Sequence, residues 1–181
     1  MAKNRIDIAV NEQGASTVIQ AFHRLANEMQ RLSPRMAATL RGRALRVGVN
    51  TDRLVKDVAI AALDTVVHAT PHDTGQARAN WQVAISTKRP AMQPQLGKLD
   101  YEGDRTVAEG TALIQSTQRR LGETIYISNA LDYIQALNEG WSKQAPAGFV
   151  EKAVQKATHV ASKGGVPVSY THLTLPTNSR V

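Results

Sequence analysis

The tripeptide Asp73-Thr74-Gly75 is the part of this sequence that could most directly do chemistry. Asp-Thr-Gly is the signature of aspartic proteases, in which two aspartates share a proton. In those enzymes the tripeptide ends an apolar strand, whereas here it follows Pro71-His72 and a helical pattern, and it occurs once. A dimer could supply the second aspartate, so a peptidase stays open as an alternative. The simpler interpretation is a structural turn, because Asp and Thr oxygens accept backbone N–H bonds and Gly supplies the special dihedral.

Other chemical signals in the sequence are weak. No carboxylate other than Asp73 stands at metal-ligand spacing from the histidines, and the absence of cysteine removes thiolate metal sites and disulfides. The pair Gly164-Gly165 lacks the Lys-Ser/Thr of a phosphate-binding loop, and no Gly-x-Ser-x-Gly motif occurs. We therefore expect no catalytic residue, no metal site and no cofactor, and we predict that the protein is not an enzyme. The histidines considered are scattered: His23, His68, His72 and His159.

Length and composition indicate a single globular domain. The chain has 181 residues, enough for a real core, and 42% of them are apolar, but only 4% are aromatic. The core must therefore be built from Ala, Val, Leu and Ile. No apolar run approaches the length of a membrane span, and the start Met-Ala-Lys-Asn-Arg lacks the apolar core of a signal peptide. We expect no membrane partner and synthesis in a reducing cytoplasm.

The positive charge is concentrated in the first 50 residues. They carry 8 Lys/Arg against 3 Asp/Glu, whereas the other 131 residues carry 14 against 12. The cluster Arg35, Arg41, Arg43 and Arg46 lies within one helical pattern. This pattern is typical of a solvated helix face, or of a basic module that binds DNA, although no interleaved aromatics support the second interpretation.

The first half of the sequence predicts one strand and three helices. Alternation over Arg5–Val10 indicates a strand, and Ser33-Pro34 begins a helix that Gly48-Val49-Asn50 is expected to end. Thr51 then opens the strongest helix, which runs to about Ala69 and is apolar over most of its circumference. Residues 1–50 are thus predicted as a basic N-terminal extension to a domain over 51–163. Between the first strand and Ser33, an apolar row indicates another helix: Val18, Phe22, Leu25, Met29 and Leu32.

The second half predicts short strands and helices around two loops. A strand begins near Ala79, with Trp81 as its core anchor, and it leads into a long loop over 88–103 and a helix over 105–120. Alternation from Thr124 indicates another strand, followed by a helix over 130–138 that ends before Gly140. A last helix is expected to open at Pro146. This order predicts an α+β fold, with a small, mostly antiparallel sheet of three to four strands packed against a long central helix and several shorter helices.

Two segments of the sequence resemble one protein family. The run Asn138–Gly148, Asn-Glu-Gly-Trp-Ser-Lys-Gln-Ala-Pro-Ala-Gly, stands behind an Ile-Tyr-Ile strand and an Asn-x-Leu-x-Tyr-Ile helix. The run Thr70–Trp81 is similar to a Pro-x-Asp-Thr-Gly-x-x-Arg-x-x-Trp pattern. Both resemble the neck or tail-completion (head–tail joining) proteins of tailed bacteriophages, over roughly residues 52–160.

This resemblance implies a structural virion protein made in the bacterial host cytoplasm. It implies a closed ring of six or twelve copies at the head–tail junction, with the head-connector and tail-tube proteins as partners and no covalent chemistry. A further hypothesis is that the basic first third faces DNA in the channel or an acidic partner. The alternative for Trp141 is a side chain that folds back over the core. The candidate contact residues are the loop over 88–103 and Trp141, Ser142, Lys143, Gln144, Ala145 and Pro146.

The C-terminal segment Val168–Val181 reads like a translated sequencing-library adapter. We therefore exclude it from the expected fold, as a segment that is not native. On this interpretation the native C-terminus is missing, the segment is disordered or loosely attached, and His172 has no functional meaning.

Overall fold

A computed structural model describes residues 5–120, 122–144, 147–163 and the strand 169–172. Within these residues the chain is α+β, as the sequence predicted, with four strands and six helices. The elements in chain order are β1 (Ile6–Asn11), α1 (Gln13–Met29), α2 (Pro34–Ala69), α3 (Gln76–Ala79), β2 (Gln82–Ser86), α4 (Asp104–Ser116), β3 (Thr124–Asn129), α5 (Ile134–Asn138), α6 (Phe149–Lys163) and β4 (Ser169–His172).

The four strands form one antiparallel sheet in the order β2-β3-β1-β4. Ile127 of β3 lies opposite Ile8 of β1 on one side and Val83 of β2 on the other. The alternating residues of β1 and β3 point into the core, where Ile8, Val10, Ile125 and Ile127 are buried. The apolar alternation seen in the sequence therefore corresponds to the core-facing side of the sheet, and residues of the opposite side such as Asp7, Ala9 and Ser128 are buried as well.

Helix α2 is the central element of the core. It has 36 residues, a length of about 54 Å at 1.5 Å per residue. Its C-terminal half is buried on several sides between the sheet, α4 and α6, as its apolar circumference predicted. Among the described residues, no helix combines the length and apolarity needed to cross a membrane. The buried α2 residues in this half are Thr51, Leu54, Val55, Val58, Ala59, Ala62, Leu63, Val66 and Val67.

The predicted helix end at Gly48-Val49-Asn50 is wrong, because α2 continues through it. Ser33 caps the start as expected, accepting a hydrogen bond from Met36 N at 3.4 Å. Position 48 lies at the contact of α2 with α1, and a Cβ there would lie 3.7 Å from Ile19 Cδ1, an ordinary packing distance. Packing against α1 and the propensity of both flanks outweigh the local stop signal. The boundary drawn at residue 50 therefore falls inside one helix.

The apolar row predicted on α1 is not the row that packs against the protein. Ala15, Ile19 and Ala26 are buried, whereas Val18 and Leu25 are 47% and 43% exposed. The two rows overlap on an amphipathic helix, and small side chains allow the closer approach to α2. Sequence spacing alone does not separate a buried row from a neighbouring exposed one.

Three other predicted boundaries also shift. Ala79 belongs to the short helix α3, so β2 begins at Gln82 rather than at Ala79. Helix α5 begins at Ile134 rather than at residue 130, and α6 begins at Phe149. Pro146, where the last helix was expected to open, lies outside the described residues. Each shift follows from short turns that hydrophobic periodicity does not resolve.

Part of the excluded C-terminal segment is in the sheet. Residues 169–172 pair with β1, with Tyr170 opposite Val10 and His172 opposite Ile8. The prediction of a disordered or loosely attached segment is therefore wrong for these four residues. Without β4, strand β1 would be an edge with unpaired backbone groups, and Tyr and Thr favour strands. Residue 168 and residues 173–181 lie outside the described part, and the adapter origin stays a prediction.

A network of buried ions joins the N-terminal elements to the rest of the fold. Arg119 forms ion pairs with Glu12, just after β1, and with Asp52 of α2, the latter at 2.9 Å. Glu12 also accepts from Gly122 N, and Lys56 pairs with Asp52 at 3.4 Å. Removing one partner of such a pair leaves a buried charge without compensation. Residues 5–50 are thus part of the same folded unit.

The continuous α2 helix can be tested at Gly48. The variant Gly48→Ala should raise the free energy of unfolding by about 0.5–1 kcal/mol, because alanine loses less backbone entropy in a helix interior. The added Cβ would make an ordinary contact with Ile19. Urea unfolding monitored by circular dichroism measures the change.

The matched control is Gly42→Ala, where an added Cβ meets nothing within 4 Å, and its gain should be similar. Stabilisation at Gly42 together with destabilisation at Gly48 would contradict the continuous helix. That outcome is the one expected for a helix-terminating glycine with positive φ.

Candidate docking site

The two family-like segments meet in one cleft. Its volume is about 390 Å³, and its wall combines the turn over 71–77 with Tyr133, Leu137 and the loop residues 142–144. The two segments are held together by a hydrogen bond from His72 N to Gln144 Oε1 at 2.9 Å. Segments about 70 residues apart in the chain therefore form a single surface.

The Asp73-Thr74-Gly75 turn is fixed by close backbone packing. Gly75 has φ of +81°, a value that favours glycine, and it immediately precedes α3. A Cβ at this position would lie 2.6 Å from Tyr101 N. The backbone N–H of Asp100 donates to Gly75 O at 3.2 Å. Gly75 is therefore required both by its dihedral and by the loop over 88–103 that packs on it.

A buried arginine ties the turn to the end of α2. The Arg78 guanidinium donates to the carbonyls of His68 and Thr70 at 2.9 Å each. It also donates to the carbonyls of Tyr101 at 2.8 Å and Glu102 at 3.3 Å. The last carbonyls of a helix have no partner within the helix, so the planar fork of Arg78 satisfies them and joins them to the loop.

Trp81 and Asn80 complete this half of the scaffold. Trp81 is 2% exposed, and its indole N–H donates to Thr70 Oγ1 at 2.8 Å. The Asn80 side chain accepts from Gln95 N at 2.6 Å and donates to Gln76 O at 2.8 Å. The polar residues of the segment 70–81 thus mostly serve to hold the turn and the loop over 88–103.

The other half of the cleft is built by the end of α5. Gly140 has φ of +90°, its N–H donates to Leu137 O at 3.1 Å, and Trp141 N donates to Ala136 O at 3.1 Å. This pair of bonds is a Schellman motif, which stops a helix and turns the chain away. The chain turns away from α5 at Gly140, and the next residue, Trp141, is therefore directed out of the fold.

Asn138 closes the base of the Trp141 loop. Its carbonyl accepts from Gly148 N at 2.8 Å, and its side-chain oxygen accepts from Val150 N at 3.0 Å. Its amide donates to the Glu151 carboxylate at 3.1 Å. One buried side chain thus joins the two ends of the loop that carries Trp141.

The loop presents an aromatic side chain beside single charges. Trp141 is 79% exposed, so it does not fold back over the core. Lys143 and Asp73 are also exposed, and among the described residues neither forms an ion pair. Tyr133 donates to Gln76 Oε1 at 3.2 Å, and burial raises the pKa of Tyr133. Of the predicted contact residues, Trp141, Ser142, Lys143 and Gln144 come together here, whereas Ala145 and Pro146 lie outside the described residues.

The titratable side chains of the cleft wall are those of Asp73, Tyr133 and Lys143. The cleft wall contains one carboxylate, that of Asp73, whereas an aspartic-protease centre needs two. In the part of the chain that the structure describes, no cluster of three metal-ligating residues occurs. The polar groups of the cleft wall can form hydrogen bonds to an incoming side chain.

His68 was considered as a metal ligand from the sequence. In the structure it lies between α2 and α4, outside the cleft. Its Nε2 lies 3.2 Å from Asp104 Oδ1, and its Nδ1 lies 2.9 Å from Asp64 O. Burial lowers the pKa of His68, but the hydrogen bonds to Asp104 and Asp64 and the charges of both carboxylates outweigh burial, so the pKa is raised. This histidine has a structural role at a helix end.

Comparisons with known proteins give no match. No family model, no curated protein and no solved structure is similar to the chain.

Sequence reasoning missed the residues that hold the site together. Arg78 and Asn138 were visible inside the family-like segments, but their spacing does not show that they are buried and bonded to distant carbonyls or N–H groups. Asp100 gave no signal in a loop without periodicity. Its carboxylate accepts from Thr106 N and Thr106 Oγ1 at 2.7 Å each, and from Gly103 N at 3.1 Å.

The packing of the turn can be tested at Gly75. The variant Gly75→Ala should lower the free energy of unfolding by about 1–2 kcal/mol for the left-handed dihedral, and by about 1–3 kcal/mol more for the clash with residues 100 and 101. The control is Gly97→Ala, with φ of +83° and nothing within 4 Å of the added Cβ. Urea unfolding measures both, and equal losses would contradict the close approach.

The role of Asp100 predicts a pH dependence. Burial raises the pKa of Asp100, but the bonds from Thr106 and Gly103 and the charge of Arg105 outweigh burial, so the pKa is lowered below 3.8. Asp100 therefore stabilises the fold above pH 3.8, and this stabilisation is lost as the pH falls through the lower, folded-state pKa. In acid unfolding, the variant Asp100→Asn should not show this loss of stability. If the variant and the parent chain show the same dependence below pH 5, the assignment is wrong.

Proposed function

We propose that this chain is a structural protein of the virion, a neck or tail-completion component at the head–tail junction of a tailed bacteriophage. It acts in virion assembly by joining copies of itself and docking neighbouring proteins, without covalent chemistry. The proposal rests on the two sequence segments that resemble this family and on the surface that they share.

The single observation that carries the proposal is the convergence of these segments. The turn over 71–77 and the loop over 141–144 meet in one cleft, with Trp141 exposed beside it. Arg78 and Asn138, one from each segment, are buried and form hydrogen bonds to distant backbone groups. The segments thus provide a rigid frame, and the side chains that they leave exposed include Trp141 and three charged groups, those of Asp73, Glu139 and Lys143.

An exposed tryptophan on a rigid frame is suited to protein docking. Tryptophan is enriched among the residues that contribute most to interfaces, where it is buried in a pocket of the partner. The frame around Trp141 is held by the Schellman motif and by Asn138, so binding orders few additional groups. In the proposed assembly the partners are other copies in a ring, the head connector and the tail tube, after synthesis in the host cytoplasm.

A basic DNA-binding module is the second candidate. The observation that favours it is the set of exposed arginines on α1 and the first half of α2. Phosphate contacts of this kind give an affinity that falls steeply with salt. Titration of duplex DNA at 50 and 200 mM salt tests this function, and salt-independent or absent binding argues against it.

An aspartic-type peptidase is the third candidate, and only the tripeptide favours it. The cleft supplies one carboxylate, so a second copy would have to contribute the other. Peptidase activity that Asp73→Asn abolishes would support this function over the structural one.

The proposed function can be tested at Trp141. The variant Trp141→Ala should reduce attachment to purified phage heads or tails at least about tenfold, a loss of the size expected for an interface anchor. Its free energy of unfolding should stay within about 0.5 kcal/mol of the parent chain, as for other exposed positions. Co-sedimentation with particles measures attachment.

The matched control is Leu113→Ala, which removes an apolar side chain that is 43% exposed on α4, away from the cleft. This control should attach like the parent chain. Failure of the parent chain itself to co-sediment with heads or tails would contradict the proposed function.

A further inference from the structure

The exposed apolar side chains of this protein are concentrated in two regions. Of the twelve large ones in the described part of the chain, six lie on residues 13–50, which we call the basic arm, and five lie on the loop over 88–103 or beside the cleft. Leu113 on α4 is the exception. Apolar surface gathered in this way marks interaction sites more often than single exposed residues do.

The basic arm is a helical hairpin with one sign of charge. It consists of α1, the turn after it and the first half of α2, and in the sequence of these residues six arginines stand against the single acid Glu28. All six arginines are exposed: Arg24, Arg31, Arg35, Arg41, Arg43 and Arg46. Its exposed apolar residues are aliphatic: Val18, Leu25, Leu32, Met36, Leu45 and Val49.

The cleft side has the opposite character, and we call it the aromatic end. Tyr101, Tyr133 and Trp141 are 53%, 42% and 79% exposed, and they are the exposed aromatic side chains of the described chain. His72 packs edge-on against Tyr101, with ring centroids 4.5 Å apart, so this tyrosine adjoins the 71–77 turn. The exposed apolar surface here therefore combines three aromatic side chains with two leucines of the loop over 88–103, Leu96 and Leu99.

Three acidic residues lie near these aromatic residues, either in the sequence or in the cleft wall. Asp73, Glu102 and Glu139 are exposed, and among the described residues none of the three forms an ion pair. Lys143 is the cation in the cleft wall. Acidic groups next to aromatic faces are the surroundings that a guanidinium prefers, because Arg stacks on the ring and pairs with the carboxylate.

The two regions lie toward opposite ends of one long helix. The basic arm includes the start of α2 at Pro34, and the turn that forms the cleft follows the end of α2 at Ala69. The part of α2 between them, residues 51–69, is about 28 Å long at 1.5 Å per residue. Complementary patches that far apart on one molecule do not satisfy each other within that molecule. They fit a head-to-tail contact between copies, which gives a ring when the rotation closes.

We propose that the basic arm of one copy docks on the aromatic end of the next copy. Arginines of the arm stack on Trp141, Tyr101 or Tyr133 and pair with the exposed acids, while the aliphatic residues of the arm cover the aromatic rings. This inference rests on the proposed function, because it assigns the subunit contact of the proposed ring.

A second copy explains the arm better than DNA does. A phosphate-binding surface needs cations but has no use for six exposed aliphatic side chains, whereas a protein interface buries both. The acceptor that such an arm requires, aromatic and acidic, is present on the same chain. Duplex binding by the arm is therefore the competing outcome of the test.

The test uses full-length chains in sedimentation velocity. The arm variant is Arg43→Glu with Arg46→Glu, and the end variant is Trp141→Ala with Asp73→Asn. Each should self-associate at least about tenfold more weakly than the parent chain, because the arm variant sets like charges against each other and the end variant loses the aromatic anchor and one carboxylate. An equimolar mixture of the two should form a one-to-one heterodimer and nothing larger, since one intact arm and one intact end remain.

The matched control is Arg120→Glu with Lys152→Glu. It makes the same change in net charge as the arm variant, at exposed positions outside both regions. It should self-associate like the parent chain. A heterodimer in the mixture supports the head-to-tail contact. A mixture without heterodimer, or a parent chain that stays monomeric at every concentration, overturns it, as does an arm variant that loses only duplex binding.

Particle attachment separates this inference from the proposed function. A parent chain that attaches to heads or tails but never self-associates overturns the head-to-tail contact alone. A chain that self-associates as described but never attaches to particles overturns the proposed function alone.

Discussion

The buried guanidinium of Arg78 is the interaction on which the cleft depends most. It joins the last carbonyls of α2 to the backbone at residues 101 and 102, where the loop packs against Gly75. Without it, these carbonyls would be buried or half-buried without a partner, at about 1–3 kcal/mol each. A lysine could not replace it, because an ammonium lacks the planar fork that reaches several acceptors at once. The shape of the cleft therefore depends on a side chain that is itself only 9% exposed.

Helix α2 determines how the other elements are positioned relative to one another. Its C-terminal half is surrounded by the sheet, α4 and α6, whereas its N-terminal half packs on α1 alone among the major elements. The same helix thus provides a buried core at one end and an exposed, basic hairpin at the other. Buried ion pairs around Arg119 hold the base of this hairpin to the domain. A rigid connection of this kind keeps the two surfaces at a fixed separation.

Much of the fold could be predicted from the sequence, because the relevant patterns are local. Alternation in β1 and β3, the Ser33 cap and the apolar circumference of α2 each correspond to an observed element. The predicted end of a helix at Gly48 was wrong because α2 continues through this position and packs against α1, which local spacing does not show. The row at Val18 and Leu25 was not the buried one, because two apolar rows overlap on α1.

The candidate site was predictable in its parts and not in its assembly. Exposure of Trp141 follows from the Gly140 stop, which the sequence contains. The meeting of His72 with Gln144, about 70 residues apart, depends on how α5 packs, and no spacing rule contains it. The roles of Arg78 and Asn138 depend on distant backbone groups for the same reason. Local pattern thus identifies which residues are unusual, and tertiary packing decides what they do.

The central claim is that a rigid frame exposes Trp141 so that another protein can bury it. Hydroxyl-radical footprinting tests this directly, because the chain has two tryptophans, Trp141 exposed and Trp81 buried. In the free chain Trp141 should oxidise readily and Trp81 should be protected. In chains bound to phage heads or tails both should be protected. Equal oxidation of Trp141 in the free and the bound chains would contradict the account.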